Sequence, residues 1–313
     1  MNARKPVDDE DLAEAAQEVR RTDVDRDVEL RVFAGVRAQA PGPVEPVKLA
    51  LGDTFSFRCH RGVSCWNVCC HGADVTLTPY DILRLSRHLG LRPAQFLERY
   101  TVPAVHEATD MPVVKLKMGG EDGKGPCPFV ATEGCTVYTD RPATCRYYPL
   151  GLMSVKLKEG DRKEDFHFLV REPHCRGHEE ANLQTVSDFR REQEIEPYDR
   201  ANRGWIDILM KLASWRSLGG PLGRAASPQA RQMFFMVSTD IERLRRFVFE
   251  TRFLEIYDVS PDAARRIETD DVALLQLGFD WLKNVLFNEP TLVMRPEILQ
   301  SAVASARAEL GGT

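Results

Sequence analysis

Eight cysteines fall between Cys59 and Cys175, and the rest of the 313-residue chain carries none. They read Cys59-x5-Cys65-x3-Cys69-Cys70, then Cys127-x7-Cys135-x9-Cys145, then Cys175. Thiols this concentrated can form disulfides, relay electrons or bind metal. Structural disulfides belong to oxidising compartments. The N-terminus, MNARKPVDDEDLAEAAQEV, has no apolar signal core, so a cytoplasmic location with reduced thiols is expected. A dithiol relay commonly uses C-x-x-C, a spacing that does not occur here. Metal binding needs several thiolates turned toward one point. The turn residues around the cysteines (Gly62, Gly72, Gly125, Pro126, Pro128, Gly134 and Pro142) fit that need. All eight are therefore candidate ligands: Cys59, Cys65, Cys69, Cys70, Cys127, Cys135, Cys145 and Cys175. They make up two four-thiolate sites or one site with spare thiols. In an extended segment the neighbours Cys69 and Cys70 would diverge and serve different sites.

Zinc knuckles commonly carry paired C-x2-C, which is missing, and irregular spacing is more usual for iron–sulfur ligation. The expected cofactor is an iron–sulfur cluster of the 4Fe–4S type, with zinc as the alternative. Arg58, His60, Arg61, His71, Arg146, His174, Arg176 and His178 stand beside the cysteines in sequence and would offset the charge of a thiolate centre. His60 and His71 flank the first group and are candidates to replace a thiolate.

The elements that must position these residues give an α+β fold: an irregular, metal-stapled cysteine-cluster domain with short helices and a β-hairpin, followed by a mainly α-helical domain. Residues 1–48 read as a polar arm, with a weak helical signal around Leu12 to Val19. Residues 49–190 are the cysteine-cluster domain. Within it, Thr78 to Gly90 has an N-cap threonine, Pro79 at N1, and Ile82, Leu85 and Leu89 on one face. A second short helix begins at Pro93, and Val113–Met118 alternates as a strand. Leu152–Leu157 and Phe166–Val170 form a hairpin around the turn Lys158–Asp161. Residues 195–310 turn helical, with stripes at Trp205–Leu212, Phe234–Phe253 and Asp270–Phe287, and a helix start at Pro261. Gly219–Gly223 is a loop. The tryptophans on these faces are expected to pack the interior, and Arg243, Arg245 and Arg246 to face solvent.

Two stretches resemble a known family. Phe57-Arg-Cys59 … Cys65 … Cys69-Cys70, with Leu77-Thr-Pro-Tyr-Asp-Ile-Leu-Arg-Leu85, is one. Gly125-Pro-Cys-Pro-Phe129 with Gly134-Cys-Thr-Val-Tyr-Thr-Asp-Arg-Pro-Ala-Thr-Cys-Arg146 and Pro149 is the other. Together, over residues 55–178, they resemble the YkgJ-type cysteine-cluster family of zinc- or iron-chelating domains. The family's first motif runs close to C-x2-C-x2-C-C, so the segment from Cys59 to Cys69 is longer here. Some relatives are flagellin lysine N-methylases, which implies S-adenosylmethionine and a protein substrate. By the same resemblance, Tyr138 and the Thr139–Pro142 turn set the approach to Cys145, while Arg141 and Arg146 brace the ligand loops around the cofactor.

Other chemistry has little support. There is no G-x-G-x-x-G after a strand, Walker A, G-x-S-x-G, H-E-x-x-H or C-x3-C-x2-C. The glycines from Gly119 to Gly125 enclose Glu121 and Asp122 and read as a flexible loop. A net charge of −5 argues against nucleic-acid binding through bulk charge, and no apolar run spans a membrane. The expected function is a cytosolic metal-binding protein whose eight cysteines coordinate iron–sulfur cluster(s) or zinc. The alternatives are an S-adenosylmethionine-dependent protein-lysine N-methyltransferase using the cluster, and a non-catalytic zinc-stapled adaptor that docks partners on its helical C-terminal domain.

Overall fold

The structure is a computed structural model that describes residues 44–155, 164–217, 226–298 and 300. The N-terminal helical signal, the Lys158–Asp161 turn and the Gly219–Gly223 loop lie outside the described residues. The architecture is α+β, with short helices, small antiparallel strand pairs and a mostly helical C-terminal region. Contacts divide the chain into two compact units, each assembled from two stretches. One takes the described residues of Met1–Cys65 and Tyr147–Phe189; the other takes those of Trp66–Arg146 and Arg190–Thr313.

In the first unit, strands Val44–Leu49, Glu164–Val170 and Leu150–Val155 form an antiparallel sheet in that order. Leu150 pairs with Leu169 and Leu152 with His167, so the expected hairpin is present. Strand Thr54–Ser56 pairs with Leu183–Thr185. Phe57 gathers the aromatic core, with Tyr148 at 6.0 Å, His178 at 5.2 Å and Phe189 at 6.2 Å between ring centroids.

In the second unit, helix Pro79–His88 starts as its sequence dictates. The Thr78 hydroxyl accepts from the Asp81 amide, and the Asp81 carboxylate accepts from the Thr78 amide, a reciprocal capping box. Ile82 and Leu85 enter a core with Val75, Leu77, Phe96 and Phe129. Phe96 is fully buried, and truncating such a phenylalanine costs about 3–5 kcal/mol. Helix Pro93–Tyr100 leads into strand Thr101–His106, which pairs along its whole length with Met111–Leu116. The second strand is buried on both faces. Met111 and Val113 enter the core of the C-terminal helices, while Val114 and Leu116 enter the core beside the cysteine loops. One strand thereby joins the two cores of this unit.

The C-terminal helices are Ile195–Ser217, Pro228–Thr239, Ile241–Glu250, Phe253–Ile256, Pro261–Thr269 and Asp271–Phe287. Ser260 and Asp270 cap the last two through their side chains. Trp205 and Trp281 are buried and Trp215 packs against the same core, as expected. The expected stripe from Phe234 to Phe253 is not one helix. It breaks at Asp240 (φ −136°, ψ 87°), whose carboxylate caps the following helix at the Arg243 amide. Thr239 bonds back to the Phe235 carbonyl at 2.6 Å, which helps close the first helix. Arg245 leaves the expected solvent face to pair with Asp271 and the carbonyls of Ile267 and Glu268. Among the described residues no helix is long and apolar enough to cross a membrane.

Candidate metal centre

The second unit holds five of the eight thiols: Cys69, Cys70, Cys127, Cys135 and Cys145. Cys69 and Cys70 close the 3-10 turn Val68–Cys70, entered through Asn67 in the left-handed region (φ 65°). The segment is a tight turn rather than extended chain, so the condition under which these two thiols would diverge is not met. The two thiols are neighbours, and Cys127 and Cys145 are also close enough to act on the Cys70 charge. Asn67 ties the turn to the next cysteine loop by donating to the Ala131 carbonyl at 2.9 Å.

Backbone bonds join the cysteine-bearing loops. The Cys127 amide donates to the Cys70 carbonyl at 2.7 Å, and Gly72 donates to Gly125 at 3.0 Å. Gly125 in turn donates to Gly119 at 2.7 Å; a Cβ at position 125 would lie 2.5 Å from the Gly119 carbonyl carbon. The glycine-rich stretch is therefore a hydrogen-bonded support behind Cys70 and Cys127. Gly134 (φ +117°) lets its strand pass the Trp66 ring, which a Cβ would approach to 2.9 Å, and so places Cys135 opposite Val130.

Amides point at sulfur in this cluster. The Phe129 and Val130 amides face the Cys127 sulfur, and the Val137 amide faces that of Cys135. Such donors stabilise thiolates and tune bound metal. Burial pushes the Cys127 and Cys135 thiols up from the ordinary value of 9.0. Burial first, then the charges of Cys127, Asp81, Cys135 and Cys69, push Cys145 up to about 12. Cys70 is raised chiefly by the adjacent Cys69 thiol, then by burial. Cys145 has a solvent-exposed side chain, yet the protein around it is dense enough to produce this shift.

Arg141 carries the cation that acts on Cys135 and Cys145, and burial lowers its own pKa. It stacks on Tyr138 at 3.9 Å and donates to the Tyr138 carbonyl at 2.6 Å and to Gln193 Oε1 at 2.5 Å. Arg146 is 1% exposed; it donates to the carbonyls of Gln193 and Thr139 at 2.6 and 2.7 Å and lies over the Tyr198 ring.

Cys59, Cys65 and Cys175 belong to the first unit. The Cys65 sulfur accepts from the Arg176 amide at 3.1 Å. Cys175 faces the Gly177 amide and the Cys65 thiol. The Tyr148 hydroxyl adjoins Cys175 without meeting a partner at hydrogen-bond geometry. Cys59 is exposed. His60 accepts from the Gly62 amide on Nδ1 at 3.1 Å and turns Nε2 to Glu180 at 3.0 Å, so both ring nitrogens are occupied. His71 uses Nδ1 on the Asn67 carbonyl at 3.1 Å, which leaves the lone pair on Nε2, the tautomer a metal ligand needs. Arg176 pairs with Glu179, and His174 with Glu172.

None of the eight cysteines is in a disulfide. Among the described residues, no three His, Cys, Asp or Glu side chains are gathered closely enough to hold an ion as they stand. The donor set nonetheless fits a thiophilic metal in its chemistry: five thiols act on one another's charges, amides face the Cys127 and Cys135 sulfurs, and the Arg141 charge acts on Cys135 and Cys145.

Apolar periodicity does not reveal the polar face of helix Pro79–His88. Asp81, Arg84 and His88 lie at i, i+3 and i+7 beside the apolar stripe. All three reach the Thr139–Ala143 segment: Arg84 Nε to Asp140 at 2.6 Å, His88 to Asp140 at 2.8 Å, and the Ala143 amide to Asp81 Oδ1 at 2.8 Å. A D-x-x-R-x-x-x-H pattern on a capped helix was the available signal.

Residues 58–176 match the model of a family described as "CxxCxxCC: Putative zinc- or iron-chelating domain". No curated protein and no solved structure matches the chain. The segment that carries all eight cysteines is thus similar to a zinc- or iron-chelating domain, the same family that its two motifs resemble.

Proposed function

We propose that this chain is a metal-binding protein that holds its metal on thiolates, with the group Cys69, Cys70, Cys127, Cys135 and Cys145 as its principal centre. The observation that carries this reading is the match of residues 58–176, which hold all eight cysteines, to a zinc- or iron-chelating domain; five of these thiols act on one another electrostatically, and backbone amides face two of the sulfurs. Four of the five suffice for a tetrathiolate site; Cys59, Cys65 and Cys175 supply a second, smaller thiol group.

A four-iron cluster is the favoured occupant and zinc the alternative. Amides on sulfur and the Arg141 guanidinium both stabilise a centre that carries net negative charge. A bound cluster would supply one-electron transfer, and zinc a structural staple. The chain's own contribution is to fix the ligand loops through the Asn67, Gly125 and Arg146 bonds and to give up thiol protons on loading. The test is metal and acid-labile sulfide per chain, with an absorption spectrum, on protein purified without oxygen. Iron with matching sulfide and broad visible absorption supports the cluster, and zinc with a featureless visible spectrum supports the alternative. A chain free of both metals, and unable to take up either, contradicts the proposal.

A further inference from the structure

The geometry points to Asp81 as the positioning residue for Cys145: one buried carboxylate caps two helices, its own and the one that presents this thiol. The inference rests on the metal-binding reading for its consequence but not for its geometry. Asp81 is fully buried. Its Oδ2 accepts from the Thr78 amide at 2.8 Å, at the start of helix Pro79–His88. Its Oδ1 accepts from the Ala143 amide at 2.8 Å, at the first residue of helix Ala143–Tyr147. Cys145 stands two residues further on.

The short helix cannot hold its own start. Pro142 precedes it and has no side-chain acceptor, so the N-cap role that serine, threonine or aspartate ordinarily fills is supplied from sixty-two positions earlier in the chain. A carboxylate is the fitting group because both oxygens can accept at once. An asparagine amide offers one acceptor and would set its NH2 against the second N–H. A threonine or serine at 81 would not reach across two backbone segments. Arg146, on the same short helix, acts electrostatically on Asp81 and holds the far end through Gln193 and Thr139. Arg84 and His88 clamp Asp140 on the approach. The direction of the Cys145 side chain is therefore set by the face of helix Pro79–His88, and the Leu77–Leu85 motif and the cysteine motif at 134–146 form one device.

The experiment compares Asp81→Asn with Thr78→Ala in the full chain. Thr78→Ala removes the hydroxyl that caps helix Pro79–His88 and leaves the Asp81–Ala143 bond, so it matches the loss of a helix cap without touching the strut. Cobalt(II) is the metal probe, because its sulfur-to-metal charge-transfer bands count bound thiolates. Asp81→Asn is expected to lose one thiolate from the spectrum and to bind cobalt about 10–100-fold more weakly. Thr78→Ala is expected to keep the wild-type spectrum at a lowered melting temperature.

The metal-free readout is alkylation of Cys145 relative to Cys127 in the same sample, followed by peptide mass spectrometry. Asp81→Glu keeps the charge that acts on Cys145 but shifts the capped helix, so it should change the Cys145 rate selectively, and Thr78→Ala should not. Equal cobalt spectra in Asp81→Asn and Thr78→Ala, with equal Cys145 rates in Asp81→Glu and Thr78→Ala, would overturn the positioning role. If the wild-type chain takes up no cobalt while Asp81→Glu still alters Cys145 alone, the strut stands and the metal-binding reading fails. Should Asp81→Asn not fold, Asp81→Glu decides: a folded Glu variant with an unchanged cobalt spectrum and unchanged Cys145 reactivity overturns the proposal, because its longer side chain would shift the capped helix.

Discussion

The two groups of thiols are built differently. In the second unit, five thiols sit on loops bound to each other through backbone hydrogen bonds, beside a core with fully buried Leu85 and Phe96. Each of the four with a resolved shift is pushed up, by burial or by another thiol. In the first unit, Cys65 and Cys175 share a loop contact, Cys59 is exposed, and the adjacent charged residues pair among themselves as His60–Glu180, His174–Glu172 and Arg176–Glu179. Equal cysteine chemistry in the sequence thus becomes unequal groups: hydrogen-bonded loops gather five thiols in one unit, while the other holds three, of which Cys175 is likewise raised by burial.

The sharpest way to break this contrast is to remove ligands from each group in turn. Replacing Cys127 and Cys145 together by serine should abolish nearly all bound metal, and Cys59→Ser should leave most of it. Metal per chain by elemental analysis reads both. A similar loss from Cys59→Ser would erase the distinction.

The next largest effect is on pH dependence. Cys70, Cys127, Cys135 and Cys145 are all raised above the ordinary thiol value, so at pH 7 each carries a proton that a metal must displace. Affinity must therefore rise with pH, by about tenfold per pH unit for each thiol bound, or about 10⁴-fold per unit for a four-thiolate centre. A two-thiol site would show about 10² by the same rule. Competition titrations with zinc between pH 6 and 8 measure the slope.

Structural support should differ as well. Arg146→Ala leaves the Gln193 and Thr139 carbonyls without their donor inside the protein, and a loss of about 3 kcal/mol is expected in chemical denaturation. Arg176→Ala, on the surface of the first unit, should leave the denaturation midpoint unchanged. Between these two lies Gly134→Ala, where positive φ and the Trp66 ring at 2.9 Å together cost about 1–3 kcal/mol. It should weaken metal uptake only in proportion to the displacement of Cys135.

Much of the fold was legible where local rules decide it. The Thr78–Pro79 and Pro261 helix starts, the hairpin strands and the buried tryptophans followed from capping chemistry and periodicity. Periodicity overran at Asp240, where a capping carboxylate outweighs a continuous apolar stripe. The cysteine set and its two motifs were legible as chemistry. The division of the thiols between units was not, since it depends on Tyr147–Phe189 packing with the stretch that ends at Cys65. The bond from Ala143 to Asp81 spans sixty-two positions, beyond any local rule. His60 looked like a spare ligand until both of its nitrogens proved to be engaged.

The most direct measurement is cysteine-by-cysteine alkylation, read by peptide mass spectrometry, on anaerobically purified protein before and after chelation. The account predicts that at least four of Cys69, Cys70, Cys127, Cys135 and Cys145 are protected while metal is bound and labelled once it is removed, with Cys59 labelled throughout. Uniform labelling of all eight before chelation, or protection confined to Cys59, Cys65 and Cys175, would contradict it.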